Sequence, residues 1–114
     1  MAGVFGEPTY DTAGMSLVGH PVSTEVVAFS GTSAPSVGIL TAGVMYRLWS
    51  KKDFYYILGD YGEVTPVATA NDVGVGARIP EYVIPRWDCK LAVIQDADSG
   101  SGNLHITLMS KYGE

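Results

Sequence analysis

The sequence predicts an all-β protein, an antiparallel sandwich of about seven or eight strands. Glycine (14 residues) and proline (6 residues) recur along the chain at the short spacing that separates strands by turns. The last strand shows the period-2 alternation of a half-buried strand, with one face formed by Leu104, Ile106 and Leu108. The loop before it, 96–103, is rich in Asp, Ser and Gly, as expected between antiparallel strands.

The strands are expected where apolar runs lie between turn residues. A short strand is predicted at 15–18, and a clearer one at 22–30, where Thr24, Val26 and Ala28 alternate with their neighbours. Further strands are expected at 37–49, 54–58, 81–84, 90–95 and 104–110. Gly, Pro, Ser, Asn and Asp cluster in 31–36 and 59–76, which are therefore predicted as loops. The last three strands are predicted to form a β-meander.

Residues 44–58 allow two interpretations. They contain neither Gly nor Pro, so a helix of about four turns is conceivable. A helical stripe through Val44, Leu48 and Tyr55 would, however, place Lys51 or Lys52 on the apolar face. The polar turn 50–53, flanked by aromatic and β-branched residues, favours a β-hairpin instead.

The N-terminal residues differ from the rest of the chain. Residues 1–14 contain three Gly and one Pro and follow no period, so they are predicted to be an irregular arm. Phe5 and Tyr10 give this arm two aromatic anchors with which it can dock on a surface. Residues 15–114 are predicted to form one β-sandwich domain, in keeping with the length of the chain.

The charge of the chain excludes several classes of partner. A net charge of −5 and a pI of about 4.8 argue against nucleic acids and anionic membranes, which attract clustered Lys and Arg. The absence of Lys and Arg before Arg47 removes the basic region of a secretory signal. The single cysteine, Cys89, cannot form an intramolecular disulfide, so folding in the cytoplasm is expected.

The residues that commonly carry chemistry do not form a recognisable motif. His20 and His105, the two histidines, lack the spacing of a metal site. The acidic loop from Asp96 departs from a calcium-binding loop at Ser101 and Thr107, where Gly and Glu are required. We therefore expect no catalytic residues, metal or cofactor. A small metal-dependent enzyme is the least favoured alternative.

The aromatic residues are the most informative side chains. In the predicted hairpin both strand faces are bulky, whereas a half-solvated strand has one polar face. The second face is covered either by another layer of the same domain or by another subunit. Tyr and Trp are enriched in interface cores, so the candidate contact residues are Phe5, Tyr10, Tyr46, Trp49, Tyr55, Ile57 and Trp87. Trp49 and Trp87 are alternatively platforms on which a sugar ring could stack.

The chain resembles a known group of proteins over roughly residues 40–110. The segments that carry the resemblance are, in order, Tyr46-Arg47, Pro66 with 68–72, 79–82, 90–94 and 102–107. They are similar to small virion proteins of tailed bacteriophages, of the capsid decoration or cement type. The resemblance implies a jelly-roll-like sandwich, often a homotrimer, on the surface of the head shell. These segments mark strands and turns, so they imply no functional residue.

The resemblance and the composition together predict a structural virion protein that binds the major capsid protein and stabilises the shell. The alternatives are a receptor- or glycan-binding domain of a phage fibre, and a neck or tail component. No nucleic-acid or membrane partner is expected.

Overall fold

The computed structural model describes residues 20–62 and 64–109, and this part of the chain contains eight strands and no helix. The strands are β1 (Pro21–Phe29), β2 (Ala34–Pro35), β3 (Tyr46–Trp49), β4 (Phe54–Tyr61), β5 (Val73–Val75), β6 (Glu81–Val83), β7 (Cys89–Gln95) and β8 (Gly102–Met109). The predicted arm with Phe5 and Tyr10, and the predicted strand at 15–18, lie outside the described residues.

The strands form two antiparallel sheets with jelly-roll topology. The first sheet has the order β1-β8-β3-β6 and the second the order β2-β7-β4-β5. All connections except the one from β4 to β5 carry the chain from one sheet to the other. Two interlocked Greek keys produce this order in the jelly roll. The predicted all-β sandwich is confirmed.

The core lies between the sheets and follows from the period-2 alternation of the strands. Inward-facing residues alternate with outward-facing ones, so that Leu48, Leu91 and Leu104 are fully buried. The Phe54 ring lies 6.1 Å from that of Phe29, which joins the sheets near one end of the core. Each such buried side chain contributes about 1.5–3 kcal/mol of transfer free energy.

The predicted hairpin at 44–58 is wrong in its pairing, although both strands exist. β3 pairs with β8 and β6, whereas β4 pairs with β7 and β5. Tyr46 and Leu48 on β3, and Phe54 and Tyr56 on β4, all point into the core. These two strands therefore face each other across the sandwich, and the turn 50–53 connects the two sheets.

The predicted meander is wrong for the same reason. β6 and β8 lie in the first sheet, and β7 lies in the second, so consecutive strands are not neighbours. The loop before β8 crosses from one sheet to the other rather than closing a hairpin. The predicted run 37–49 is a strand only from Tyr46, apart from an isolated bridge between Leu40 and Cys89.

Two strands, β2 and β5, were not predicted because their sequences resemble loops. Both are short and both form edges of the second sheet. β2 contains Pro35, which cannot donate a ladder hydrogen bond and is tolerated at an edge. β5 contains Gly74, which lies under the ring of Tyr55.

The segment 64–72 packs on the outer face of the second sheet. Ala68 donates its N–H to the Oγ of Ser33 over 2.8 Å. A Cβ at Gly59 would lie 3.1 Å from Pro66, so glycine allows this segment to approach β4 closely. Ala92 of β7 lies beside this contact and is 0% exposed. The chain itself therefore covers part of this face.

The loops gather at two ends of the sandwich. We call the end formed by 30–33, 50–53, 76–80 and 96–101 the polar end, and the end formed by 36–45, 64–67 and 84–88 the apolar end. At the polar end Asp53 donates its N–H to the Oγ of Ser99 over 3.0 Å, and Arg78 donates its N–H to the Ser50 carbonyl over 2.8 Å.

Candidate functional site

The apolar end exposes large apolar side chains to solvent. Val37 is 86% exposed and Tyr61 is 70% exposed, values unusual for side chains of this kind. The exposed apolar side chains in or next to its loops are Val37, Ile39, Tyr61, Val64, Val67, Ile84 and Trp87. Where such side chains touch each other, as Tyr61 and Trp87 do, they form a candidate interaction site.

An aromatic pair, Tyr61 and Trp87, lies at this end. Their ring centroids are 5.1 Å apart with 32° between the ring planes. The Trp87 indole N–H donates to the carbonyl of Gly59 over 3.3 Å, which fixes the indole against β4. The register of β4 shifts between Leu58 and Tyr61, and such irregularities redirect side chains out of a sheet.

Asp88 joins the loops around this pair by hydrogen bonds. Its carboxylate accepts the N–H of Ala42 over 2.9 Å, and its carbonyl accepts the N–H of Gly62 over 2.6 Å. Gly43 donates its N–H to the Pro85 carbonyl over 2.9 Å and has a φ of 77°, which favours glycine. These bonds join three loops and hold the apolar end in one conformation.

The sequence-predicted contact residues do not come together. Trp87 lies at the apolar end and is 37% exposed. Trp49 lies on the outer face of the first sheet, with its ring centroid 5.8 Å from that of His105. Tyr55 and Ile57 are half-buried on the outer face of the second sheet.

Tyr46 points into the core, where its hydroxyl accepts the N–H of Thr41 over 2.7 Å. Only 8% of its surface is exposed. Tyr61 is a surface aromatic residue that the sequence analysis assigned to a loop and did not predict as a contact residue.

The sequence did contain a sign of its exposure. Gly59 and Gly62 lie on either side of Tyr61, and glycines that flank an aromatic residue indicate an exposed turn.

Cys89 and Tyr55 have pKa values that the fold raises. Burial raises the pKa of the Cys89 thiol, and this cysteine is 1% exposed, as expected for a small strand residue. At the polar end, the negative charge of Asp96 raises the pKa of Tyr55, whose hydroxyl donates to that carboxylate over 3.3 Å.

Residues 20–62 and 64–109 contain no group of three or more His, Cys, Asp or Glu arranged to hold a metal ion. Nor do they include a helix of the length and apolarity needed to cross a membrane. In comparisons with protein families, curated proteins and solved structures, nothing matches this chain.

Proposed function

We propose that this protein is a structural virion subunit that binds the shell of a phage head through its apolar end. The major capsid protein is the proposed partner, the capsid surface the proposed location, and a homotrimer the proposed assembly. One observation carries the proposal, the tilted Tyr61–Trp87 ring pair on loops that Asp88 joins by hydrogen bonds. The resemblance of residues 40–110 to decoration proteins supplies the biological setting.

The chemistry of the apolar end suits a protein partner. Trp and Tyr are the residues most often found at the energetic centre of protein interfaces. Because the loops are already joined by hydrogen bonds, little conformational freedom is lost when a partner binds. A shell offers many copies of the same site, so a modest contact per subunit still gives firm attachment through multivalency. Binding to the assembled shell then stabilises it by mass action.

The first test is binding to purified heads of the phage whose genome encodes the chain. Co-sedimentation should show saturable binding of the wild-type protein, with stoichiometry set by the shell. Trp87→Ala should weaken binding roughly thirtyfold, as expected for a residue at the centre of an interface. Trp49→Ala is the matched control, because Trp49 lies on the outer face of the first sheet. Unchanged binding by Trp87→Ala, or no association by the wild type, would contradict the proposal.

The oligomeric state is tested by light scattering on the purified protein. A mass of three chains would support a trimer that forms before attachment. A single-chain mass would mean that any trimer forms only on the shell.

A second candidate, glycan binding, is favoured by the same aromatic pair. Tyr61 presents an exposed ring, and Asp60, which precedes it in the sequence, is exposed as well. An aromatic face packs against the C–H groups of a sugar, while a carboxylate accepts hydrogen bonds from its hydroxyls. Binding on a glycan array that Tyr61→Ala abolishes, together with no binding to heads, would favour this function over the first.

A further inference from the structure

A cavity of about 320 Å³ lies beside the polar end, far from the aromatic pair along the strands. It is lined by Lys51, Lys52, Ser101, Gly102, Asn103 and His105. It exists because β3 ends at Trp49, opposite His105, whereas β8 begins three residues earlier at Gly102. Beyond Trp49 the chain turns to the other sheet, which leaves a gap beside β8.

The main chain of Asn103 faces this gap. Met109 donates its N–H to the carbonyl of Met45 over 3.0 Å, on the side of β8 that faces β3. Alternate residues of a strand direct their N–H groups to the same side, so those of Thr107, His105 and Asn103 also point towards β3. At Asn103 the β3 ladder has ended, so its N–H has no strand partner on that side.

The two lysines bring unneutralised positive charge to the cavity. Neither forms an ion pair with a carboxylate in the parts of the chain that the structure describes, and none of the described lining residues is acidic. Neither Asp53 nor Asp96, the acidic residues nearest in sequence to its loops, lines the cavity; their carboxylates accept the N–H groups of Ala77 over 2.6 Å and of Asp98 over 2.9 Å. In a chain with a net charge of −5, this is a local basic site.

The side chain of Lys52 is held in place by its neighbours. A Cβ at Gly102 would lie 2.9 Å from the Cγ of Lys52 and 3.0 Å from the Cζ of Phe29. Glycine is therefore required there for space, and it lets the lysine stem lie against β8. The N–H of Lys52 donates to the Oγ of Ser50 over 3.1 Å, which fixes the backbone of the turn.

His105 also lines the cavity, and its imidazole contacts the ring of Trp49. The ring of Trp49 packs edge-on against it. The residues that line the cavity thus carry two ammonium groups, a hydroxyl, an amide and an imidazole, beside the main-chain N–H of Asn103. Lysine ammonium groups and main-chain N–H groups are the donors that commonly bind phosphate oxygens.

We propose that this cavity binds a phosphoryl group, either as the free ion or as the monoester of a small molecule. Lys52 and Lys51 supply the charge, and the N–H of Asn103 and the hydroxyl of Ser101 supply directed hydrogen bonds. The site is independent of the apolar end, so its failure would leave the proposed virion function untouched.

The test is a titration of the full-length protein with inorganic phosphate at low ionic strength, followed by amide NMR shifts. Saturable shifts are expected at Ser101, Gly102, Asn103 and His105. Lys52→Gln should weaken binding roughly tenfold or more, since charge-assisted bonds to the phosphate are lost. Lys90→Gln is the control, because Lys90 lies on β7 in the other sheet and does not line the cavity.

A second titration with glycerol 1-phosphate distinguishes the two sources of the phosphoryl group. Binding of the ester as tight as that of phosphate would assign the site to a phosphorylated molecule. Binding of phosphate alone would assign it to the free ion. Shifts spread over all basic residues, or equal affinity in Lys52→Gln and wild type, would overturn the proposal.

Discussion

The two ends of the sandwich are built from the same kind of inter-strand loop but have opposite chemistry. At the polar end, loops bond to one another through Asp53, Ser99 and Ser50, and among the described residues Ile79 is its one large exposed apolar side chain. At the apolar end, Val37, Tyr61 and other apolar side chains are exposed. Several polar groups of the first end are bonded to one another within the chain, whereas the exposed apolar side chains of the second end would gain free energy if another surface covered them.

The difference also concerns loop length. The polar-end connections 30–33, 50–53, 76–80 and 96–101 are short, as is 84–88 at the apolar end, whereas 36–45 at the apolar end is longer. Short loops are determined by the geometry of the strands that they join. Longer loops tolerate variation and often carry binding residues. For attachment to a head shell, we therefore expect mutations at the apolar end to act on binding and mutations of the loop-to-loop bonds at the polar end to act on stability.

The largest effect on stability is expected from Asp53→Ala at the polar end. The substitution leaves the N–H of Ala77 without its acceptor at 2.6 Å, which should cost about 1–3 kcal/mol of unfolding free energy. Urea denaturation measures the change. Asp60→Ala is the matched control, because Asp60 is exposed near the apolar end and should change stability by less than about 0.5 kcal/mol. An equal loss of unfolding free energy in both variants would contradict the expected difference between the two ends.

Tyr56→Phe tests the core between the two sheets, away from both ends of the sandwich. The Tyr56 hydroxyl donates to Glu81 Oε2 over 3.0 Å and so joins the two sheets, and its removal should cost about 1–2 kcal/mol. Burial, followed by the hydrogen bond to Glu81, raises the pKa of Tyr56 well above its ordinary value of 10.0. The folded state therefore keeps a proton that the unfolded chain releases above about pH 10, so stability falls as pH rises through that value.

The variant should show a smaller fall in unfolding free energy between about pH 9 and pH 11 than the wild type. Denaturation at a series of pH values measures this. Tyr61→Phe is the control, because Tyr61 is exposed and its hydroxyl makes no hydrogen bond with another described residue. An identical alkaline slope for Tyr56→Phe and wild type would show that Tyr56 does not contribute to it.

A pair of glycines compares the two ends directly. Gly43 at the apolar end has a φ of 77° and Gly100 at the polar end a φ of 89°, with no atom near enough to contact an added Cβ. Alanine at either position should cost about 1 kcal/mol through backbone strain alone. Thermal unfolding should show similar losses, whereas only Gly43→Ala should weaken head binding. Equal binding by both variants would argue that the loop conformation at the apolar end does not matter.

The smallest effect on stability is expected from Tyr61→Ala. This side chain is 70% exposed, so its loss should cost less than about 1 kcal/mol of unfolding free energy, although it should weaken head binding. Chemical denaturation and head binding are measured on the same sample. A large loss of stability with unchanged binding would place Tyr61 in the framework of the fold rather than in the proposed interface.

The sequence alone predicted the strands that have a clear alternation and many core contacts. The ranges 22–30, 90–95 and 104–110 agree with β1, β7 and β8 to within one or two residues. Alternation also identified the core-facing side of β8, since Leu104 and Ile106 are buried as expected, but the expectation of a half-buried strand is wrong, because Thr107 and Met109 on the other side are buried too. Prediction of the core-facing side works because period 2 is a local property of the backbone, and burial of one face imposes it on the sequence.

Only the tertiary structure decided which strands are neighbours and which aromatic residues are exposed. β3 and β4 follow each other in sequence yet belong to different sheets, because ladder hydrogen bonds are made to strands distant in sequence. Tyr61 reaches Trp87 only through the register shift in β4, and the cavity at Lys52 exists only because β3 ends before β8 begins. Alternation records which face of a strand is buried but carries no information about its neighbour, so pairing and both candidate sites depended on the assembled sandwich.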